Sequence, residues 1–290
     1  MKKVAVLFLA LSCGSLMAQS APWVRIAHYT CPGPVGSAWP ATTWQPAVIG
    51  PVANYWQNSF TNSTANAYCD GSGNFVIAAL NPGGSTYTSG YYTTGKILSG
   101  QSGTPSESWQ YAWINVTMTL PYASGIWPAA FLIDQRYINQ VNWGEIDFAE
   151  MFGSTSSEGS QSIHTINQSS IAWNAASACE IGPTFDTIPS GGSVTGSHTY
   201  GVQFIPNNIR YYIDGTLLNS EFAGSFDGCT WQQNDSYYLA IDLAVGATGS
   251  PAGVPSGTSF PQTMSISAVD VWVLPLVSAG QSLSKGQKAP

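Results

Sequence analysis

Three carboxylates fall within six residues in Trp143-Gly144-Glu145-Ile146-Asp147-Phe148-Ala149-Glu150-Met151, in a chain that is only 8% charged. They alternate with Ile146 and Phe148, side chains that seek burial. On a helix, Glu145 and Asp147 would point to nearly opposite sides. On a strand they share one face, and Ile146 and Phe148 share the other. Glu150 has the wrong parity to join them. One β-bulge between Asp147 and Glu150 absorbs the extra residue and returns Glu150 to their face. The Cα atoms of Glu145 and Glu150 then lie about 13 Å apart. Leaning inward, the two side chains bring their carboxyls to roughly 5–6 Å, close to the spacing of a retaining glycosidase. Three acids this close cannot all ionise freely, so at least one is expected to keep its proton near neutral pH. The bland alternative is a strand with a merely wet acidic face. The spacing and the buried flanks favour a catalytic cluster.

The rest of the chain reads as β-structure. Glycine (30), proline (18), serine and threonine punctuate short β-branched and aromatic runs, and no helical period persists over three turns. The expected strands are 75–80, 109–120, 129–134, 145–150, 199–204, 209–214, 237–245 and 265–274. Such a series indicates a sandwich or barrel. Asp214-Gly215 is a tight-turn signal. Parity gives the 109–120 strand a core face of Ile114, Val116, Met118 and Leu120. Its other face carries Trp109, Tyr111, Trp113, Asn115 and Thr117. In 237–245, Leu239, Ile241, Leu243 and Val245 are core, while Tyr238, Ala240 and Asp242 look the other way. Faces of aromatics and hydrogen-bonding groups suit a groove for sugar, whose rings stack on aromatics and whose hydroxyls need oriented partners.

Residues 1–18 read as a secretory signal: Lys2 and Lys3, an apolar run from Val4 to Leu11, then small residues. That run is too short to span a bilayer. Cys13 fits the lipid-attachment pattern poorly, so no lipid anchor is expected. The expectation is a secreted or periplasmic protein. Losing Lys2 and Lys3 takes the formal net charge from −7 to −9. An acidic, lysine-poor chain excludes nucleic acid and anionic membrane as natural partners. Residues 22–276 are expected to form a single domain that acts as a monomer, and 277–290 a polar tail. Of the cysteines left, Cys31, Cys69, Cys179 and Cys229, the local pairing Cys31–Cys69 and Cys179–Cys229 is expected, each bridge contributing about 4 kcal/mol on the chain-entropy model. A metal site is not expected, since the cysteine spacings are long and His28, His164 and His198 are dispersed. A structural calcium stays open, although the chain holds no dedicated calcium loop.

Several stretches together resemble glycoside hydrolase family 16, the laminarinase, licheninase and agarase group. Glu145 to Glu150 matches that family's bulged E-x-D-x-x-E signature. In the family's order come Gly73 to Ala79, Tyr87 to Gly90, Thr94 to Ile97, Gly125 to Phe131, His198 to Phe204, Ile209 to Gly215 and Leu243 to Gly246. The resemblance implies an all-β jelly-roll sandwich of two antiparallel sheets with an open concave cleft. It implies Glu145 as nucleophile, Glu150 as general acid and then base, and Asp147 as the helper that tunes Glu145. It further implies Trp143 and Trp127 as sugar platforms and His164 as a neighbour of the acid/base. Trp113, Tyr111, Asn115 and Asp242 complete the expected substrate-binding set. The chain departs from the family's usual Tyr-Gly-Arg-x-Glu-x-Arg with Tyr111-Ala112-Trp113-Ile114-Asn115-Val116-Thr117. It carries Phe131 for a tryptophan and Asp242 for an asparagine. A neutral aromatic cleft suits a neutral β-glucan better than a sulfated galactan, which needs Arg or Lys. The reading is a retaining endo-β-1,3- or mixed β-1,3/1,4-glucanase that needs no cofactor. The alternatives are a transglycosylase on the same site and a non-catalytic carbohydrate-binding sandwich.

Overall fold

A computed structural model describes residues 23–83, 91–100, 107–135, 144–153, 188–189, 191–223 and 234–274, together with the backbone of 162–169 and 179–187. The strands are β1 (Val24–Tyr29), β2 (Gln45–Pro46), β3 (Ser59–Phe60), β4 (Ala67–Cys69), β5 (Phe75–Ala79), β6 (Thr93–Thr94), β7 (Lys96–Leu98), β8 (Ala112–Thr119) and β9 (Ile126–Asp134). There follow β10 (Gly144–Glu150), β11 (Ser162–Ser169), β12 (Cys179–Thr187), β13 (Ser197–Ile205), β14 (Asn208–Ile213), β15 (Thr216–Phe222), β16 (Tyr237–Val245) and β17 (Gln262–Val273).

They form a jelly-roll sandwich. One sheet runs β15-β14-β13-β8-β17-β5-β4, with β1 added against β17; the other runs β12-β11-β10-β9-β16-β7-β2. Pairing within both sheets is antiparallel, while β3 and β6 pair in parallel as a separate ribbon. Alternation explains why two layers form. Ile114, Val116 and Met118 of β8 meet Ile146 and Phe148 of β10, and Leu239, Ile241, Leu243 and Val245 of β16, in one apolar core. This burial of facing apolar rows is the main force holding the sheets together. The expected strand parities are therefore observed. Strand ends differ from expectation by one to three residues, as hydrogen bonding extends past the apolar run or stops short of it.

The hairpin signal is realised as a two-residue turn between β14 and β15. Ile213 pairs with Thr216. Asp214 (φ 49°) and Gly215 (φ 74°) both take left-handed backbone angles, which this turn class requires. Asp214 then accepts hydrogen bonds from Thr199 N and His198 Nδ1.

The expected bridge Cys31–Cys69 is present and joins residues 38 apart in sequence. It lies among Trp39, Trp44 and Phe75, all buried in the core. Cys229 and the side chain of Cys179 lie outside the described residues, as do the signal, Cys13 and the tail. No helix among the described residues is long and apolar enough to cross a membrane.

Opening the Cys31–Cys69 loop with a double serine substitution is expected to cost about 2–4 kcal/mol in denaturant unfolding. An unchanged unfolding midpoint would show that the bridge constrains nothing the core does not already fix.

Candidate active site

Strand β10 is anchored through its apolar residues. Ile146, Phe148, Ala149 and Met151 all enter the core. Two consecutive core residues, Phe148 and Ala149, are possible only where strict alternation breaks. Against β9, Glu145 pairs with Ile133, Asp147 with Phe131 and Glu150 with Ala129, with the register shift between Asp147 and Ala149. Five steps on β10 thus oppose four on β9. The expected bulge sits where the parity argument required it, and it sets all three acids on the face turned away from the core.

That face has its own composition. Leu98, Ala129, Phe131, Ile133, Tyr238 and Ala240 make a second apolar cluster, separate from the core. Across the sheet at the level of Glu150, the register gives Glu150, Ala129, Asp242 and Lys96 in a row. Trp127 Nε1–H donates to Glu150 Oε1 at 2.6 Å, and its ring meets Phe152 edge-on with centroids 5.3 Å apart. Trp127 is therefore at the site as a hydrogen-bond donor that fixes one oxygen of Glu150.

The acids are few but close, and their environment is dry. Asp147 and Glu150 are buried, and Glu145 is partly exposed. Burial pushes the Glu145 carboxyl up to about 7; Glu150 and Asp242 add to the rise, and Lys96 opposes it. Asp147 is raised well above the usual carboxylate range by burial first, then by Glu145 and Glu150. Burial also raises Asp242, against the opposing effect of Lys96. The expectation that one acid keeps its proton near neutrality points, in this structure, to Asp147.

Lys96 is the charged neighbour that the motif does not announce. Its Nζ lies 3.0 Å from Asp242 Oδ2. It also sits over the Phe131 ring, 4.5 Å from the centroid. A signal existed in the sequence: Lys96 is the only lysine between Lys3 and Lys285.

Three other candidates lie elsewhere. Trp113 and Asn115 are on β8, in the opposite sheet, and their side chains turn outward from the core there. Trp113 stacks on Tyr212, with centroids 5.1 Å apart and planes at 25°. It also donates from Nε1 to Asn115 Oδ1 at 2.9 Å. Gly201 makes room for this arrangement, since a Cβ there would fall 2.5 Å from Asn115 Oδ1. Tyr111 precedes β8 and interacts with Asp235. The expectation that Trp113 and Asn115 line the carboxylate face is thus corrected: parity separated the two faces of β8 but said nothing of which sheet β8 joins. Trp143 lies outside the described residues. His164 stands on β11, which adjoins β10, and its side chain is likewise outside the description. Among the described residues, no group of three or more His, Cys, Asp or Glu is placed to hold a metal ion.

Comparison with known proteins agrees with this fold. Glucan endo-1,3-beta-glucosidase A1 of Niallia circulans is 27% identical over 239 residues, covering 75% of this chain. The chain spans only 33% of that relative's length. The catalytic domain of an endo-1,3-beta-glucanase (laminarinase) from Thermotoga petrophila superposes with a TM-score of 0.68 at 20% identity, covering 87% of this chain and 98% of its own. A pseudo beta-1,3-glucanase of Mycobacterium tuberculosis superposes at 0.61 with 22% identity, covering 86% and 98%. At these identities the superpositions establish the fold. The sequence profile of glycosyl hydrolases family 16 matches residues 58–224, a span that contains the row of carboxylates Glu145, Asp147 and Glu150, and the chain belongs to that family.

Proposed function

We propose that the chain is a secreted, retaining endo-β-glucanase that cuts β-1,3- or mixed β-1,3/1,4-linked glucan by double displacement. The single observation that carries the reading is the bulge in β10, which puts Glu145, Asp147 and Glu150 on one face. The fold alone would not decide the matter, because a pseudo-glucanase shares it. The activity assigned to the N. circulans relative supports the substrate class.

In this mechanism the ionised Glu145 carboxylate attacks the anomeric carbon. Glu150 gives its proton to the departing glycosidic oxygen, so the C–O bond breaks as the glycosyl ester forms. In the second step Glu150 takes a proton from water, and the resulting oxygen displaces Glu145. Trp127 Nε1–H, bonded to Oε1 of Glu150, holds that carboxyl in one orientation through both steps. Asp147 keeps a proton because it is buried among acids. A protonated Asp147 carries no charge to repel the Glu145 carboxylate, and this lets a nucleophile persist in a dry site.

The substrate is neutral on this reading. The one cation identified on the carboxylate face, Lys96, is already paired with Asp242. Trp127, only half-buried, supplies apolar surface of the kind sugar C–H faces stack on. The Cys31–Cys69 bridge fits an oxidising, exported location.

Glu145→Gln is expected to lower kcat on laminarin by more than about 10³-fold while leaving glycan binding intact. Near-normal turnover in that variant removes Glu145 from the nucleophile's role. Product sizing on laminarin, lichenan, agarose and carrageenan is expected to show short products from the first two only. NMR of the first-formed product is expected to show the retained anomer, and an inverted product contradicts the mechanism.

The raised carboxyls also set pH behaviour. Glu145 must be ionised to attack, so kcat/KM of the free enzyme is expected to fall below a midpoint near 7. Stability runs the other way. The folded state holds the Glu145 proton more tightly than the unfolded chain, so this contribution is full below about pH 4.5 and is lost as pH rises through about 7. Wild-type Tm, measured relative to Glu145→Gln, is expected to decline across that window. Parallel Tm curves for the two proteins would show that burial of Glu145 carries no such cost.

A further inference from the structure

Lys96 and Asp242 form an ion pair that is almost dry, with side-chain exposures of 13% and 9%. Desolvating two charges is costly, and a pair of apolar residues would serve stability as well or better. The position of the ammonium is also unusual. Lys96 is on β7, separated from β9 by β16. Its Nζ nevertheless reaches past Ala240, the small residue paired with Phe131, to lie on the Phe131 ring. The Phe60 ring is on another side, 5.6 Å away. Phe131 is the direct cross-strand partner of Asp147. The charge is therefore carried across the sheet and held, between two rings and one carboxylate, one strand away from the acids.

We propose that Lys96 is a positioning residue, the fixed countercharge of the carboxylate row, and that Asp242 holds it in place and sets how much of its field the row receives. This rests on the catalytic reading of that row.

The groups facing Lys96 and Glu145 can be named by element. From β10 come Asp147 and Glu150; from β16, Asp242 and the Tyr238 phenol. On the same face β9 offers Phe131, Ile133, Ala129 and Trp127, none of which titrates. Ala47, just after β2, and Phe60 of β3 add apolar groups. β11 carries His164 as its one titratable residue, and Tyr211 of β14 interacts with Asp147 from the opposite sheet. Within this set Lys96 is the one cation that lowers Glu145 and Asp147, whereas Asp242 raises both. Their removal therefore has opposite consequences, which a purely structural role would not produce.

The test is a titration of the free protein by carbon-detected NMR, with ¹³C-carboxyl glutamate. The chain contains six glutamates, and the Glu145 signal is assigned by its loss in Glu145→Gln. The wild-type midpoint is expected near 7. Lys96→Met is expected to move it up by at least about one pH unit, Asp242→Asn to move it down, and Lys96→Arg to restore it. An unchanged or lowered midpoint in Lys96→Met, or shifts of the same sign in both variants, overturns the proposal. If Lys96→Met does not fold, the isosteric Asp242→Asn decides, and an upward or absent shift there overturns it. The titration needs no substrate. A protein that fails to cut laminarin removes the catalytic reading, whereas an active protein with an unmoved midpoint removes the role of Lys96 alone.

Discussion

One extra residue in β10 sets the arrangement of the whole site. A strand in strict alternation would send Glu150 into the core together with Ile146 and Phe148. The bulge between Asp147 and Ala149 resolves the conflict by letting Phe148 and Ala149 both face inward. Its position is pinned from both sides. Moving it one residue toward either end would keep the acids outward but turn Phe148 or Ala149 out of the core, giving up buried apolar surface. The same packing that stabilises the sandwich thus fixes the spacing of the acids. A site built on a central strand, between β9 and β11, is held more rigidly than one built on loops.

The bulge creates an electrostatic problem that the neighbouring strands answer in part. It gathers three acids on a face floored by Phe131, Ile133 and Ala129, where water is scarce. Asp242 on β16 adds a fourth. One ammonium, from Lys96, offsets them. The remainder is offset by protons, chiefly on Asp147 and partly on Glu145. Proton storage and cation placement are therefore two parts of one balance, and the Trp127 indole contributes a third by holding Glu150 without adding charge.

Much of this was legible in the residues, because parity is a local property. The faces of β8, β10 and β16 follow from side-chain alternation, and so does the need for a bulge before Glu150. Asp214-Gly215 announced its turn because few residues accept two successive left-handed conformations. What parity cannot encode is which sheet a strand joins. Trp113 and Asn115 have the composition of a sugar groove, yet they bond to each other on the far layer, where Trp113 stacks on Tyr212. That assignment depends on contacts between β8, β13 and β17, which are distant in sequence. Lys96 was obscured for a related reason. Its partner Asp242 is distant in sequence, and only the adjacency of β7 and β16 joins them.

The placement of the few cations bears on what this face can accept. Arg25 binds Asp270 at the β1–β17 edge of the opposite sheet. Arg210 donates to Gln203 on that same sheet. Neither adjoins the carboxylate row, and the cation that does is already neutralised by Asp242. An incoming sulfate or uronate would meet an acidic, partly desolvated surface with no free donor fork among the described residues, and its own desolvation would go uncompensated. A neutral glucan brings hydroxyls, which can both donate to the carboxylates and accept from the remaining Lys96 N–H groups. Discrimination against charged glycans then arises from repulsion and lost hydration, without any side chain dedicated to rejecting them.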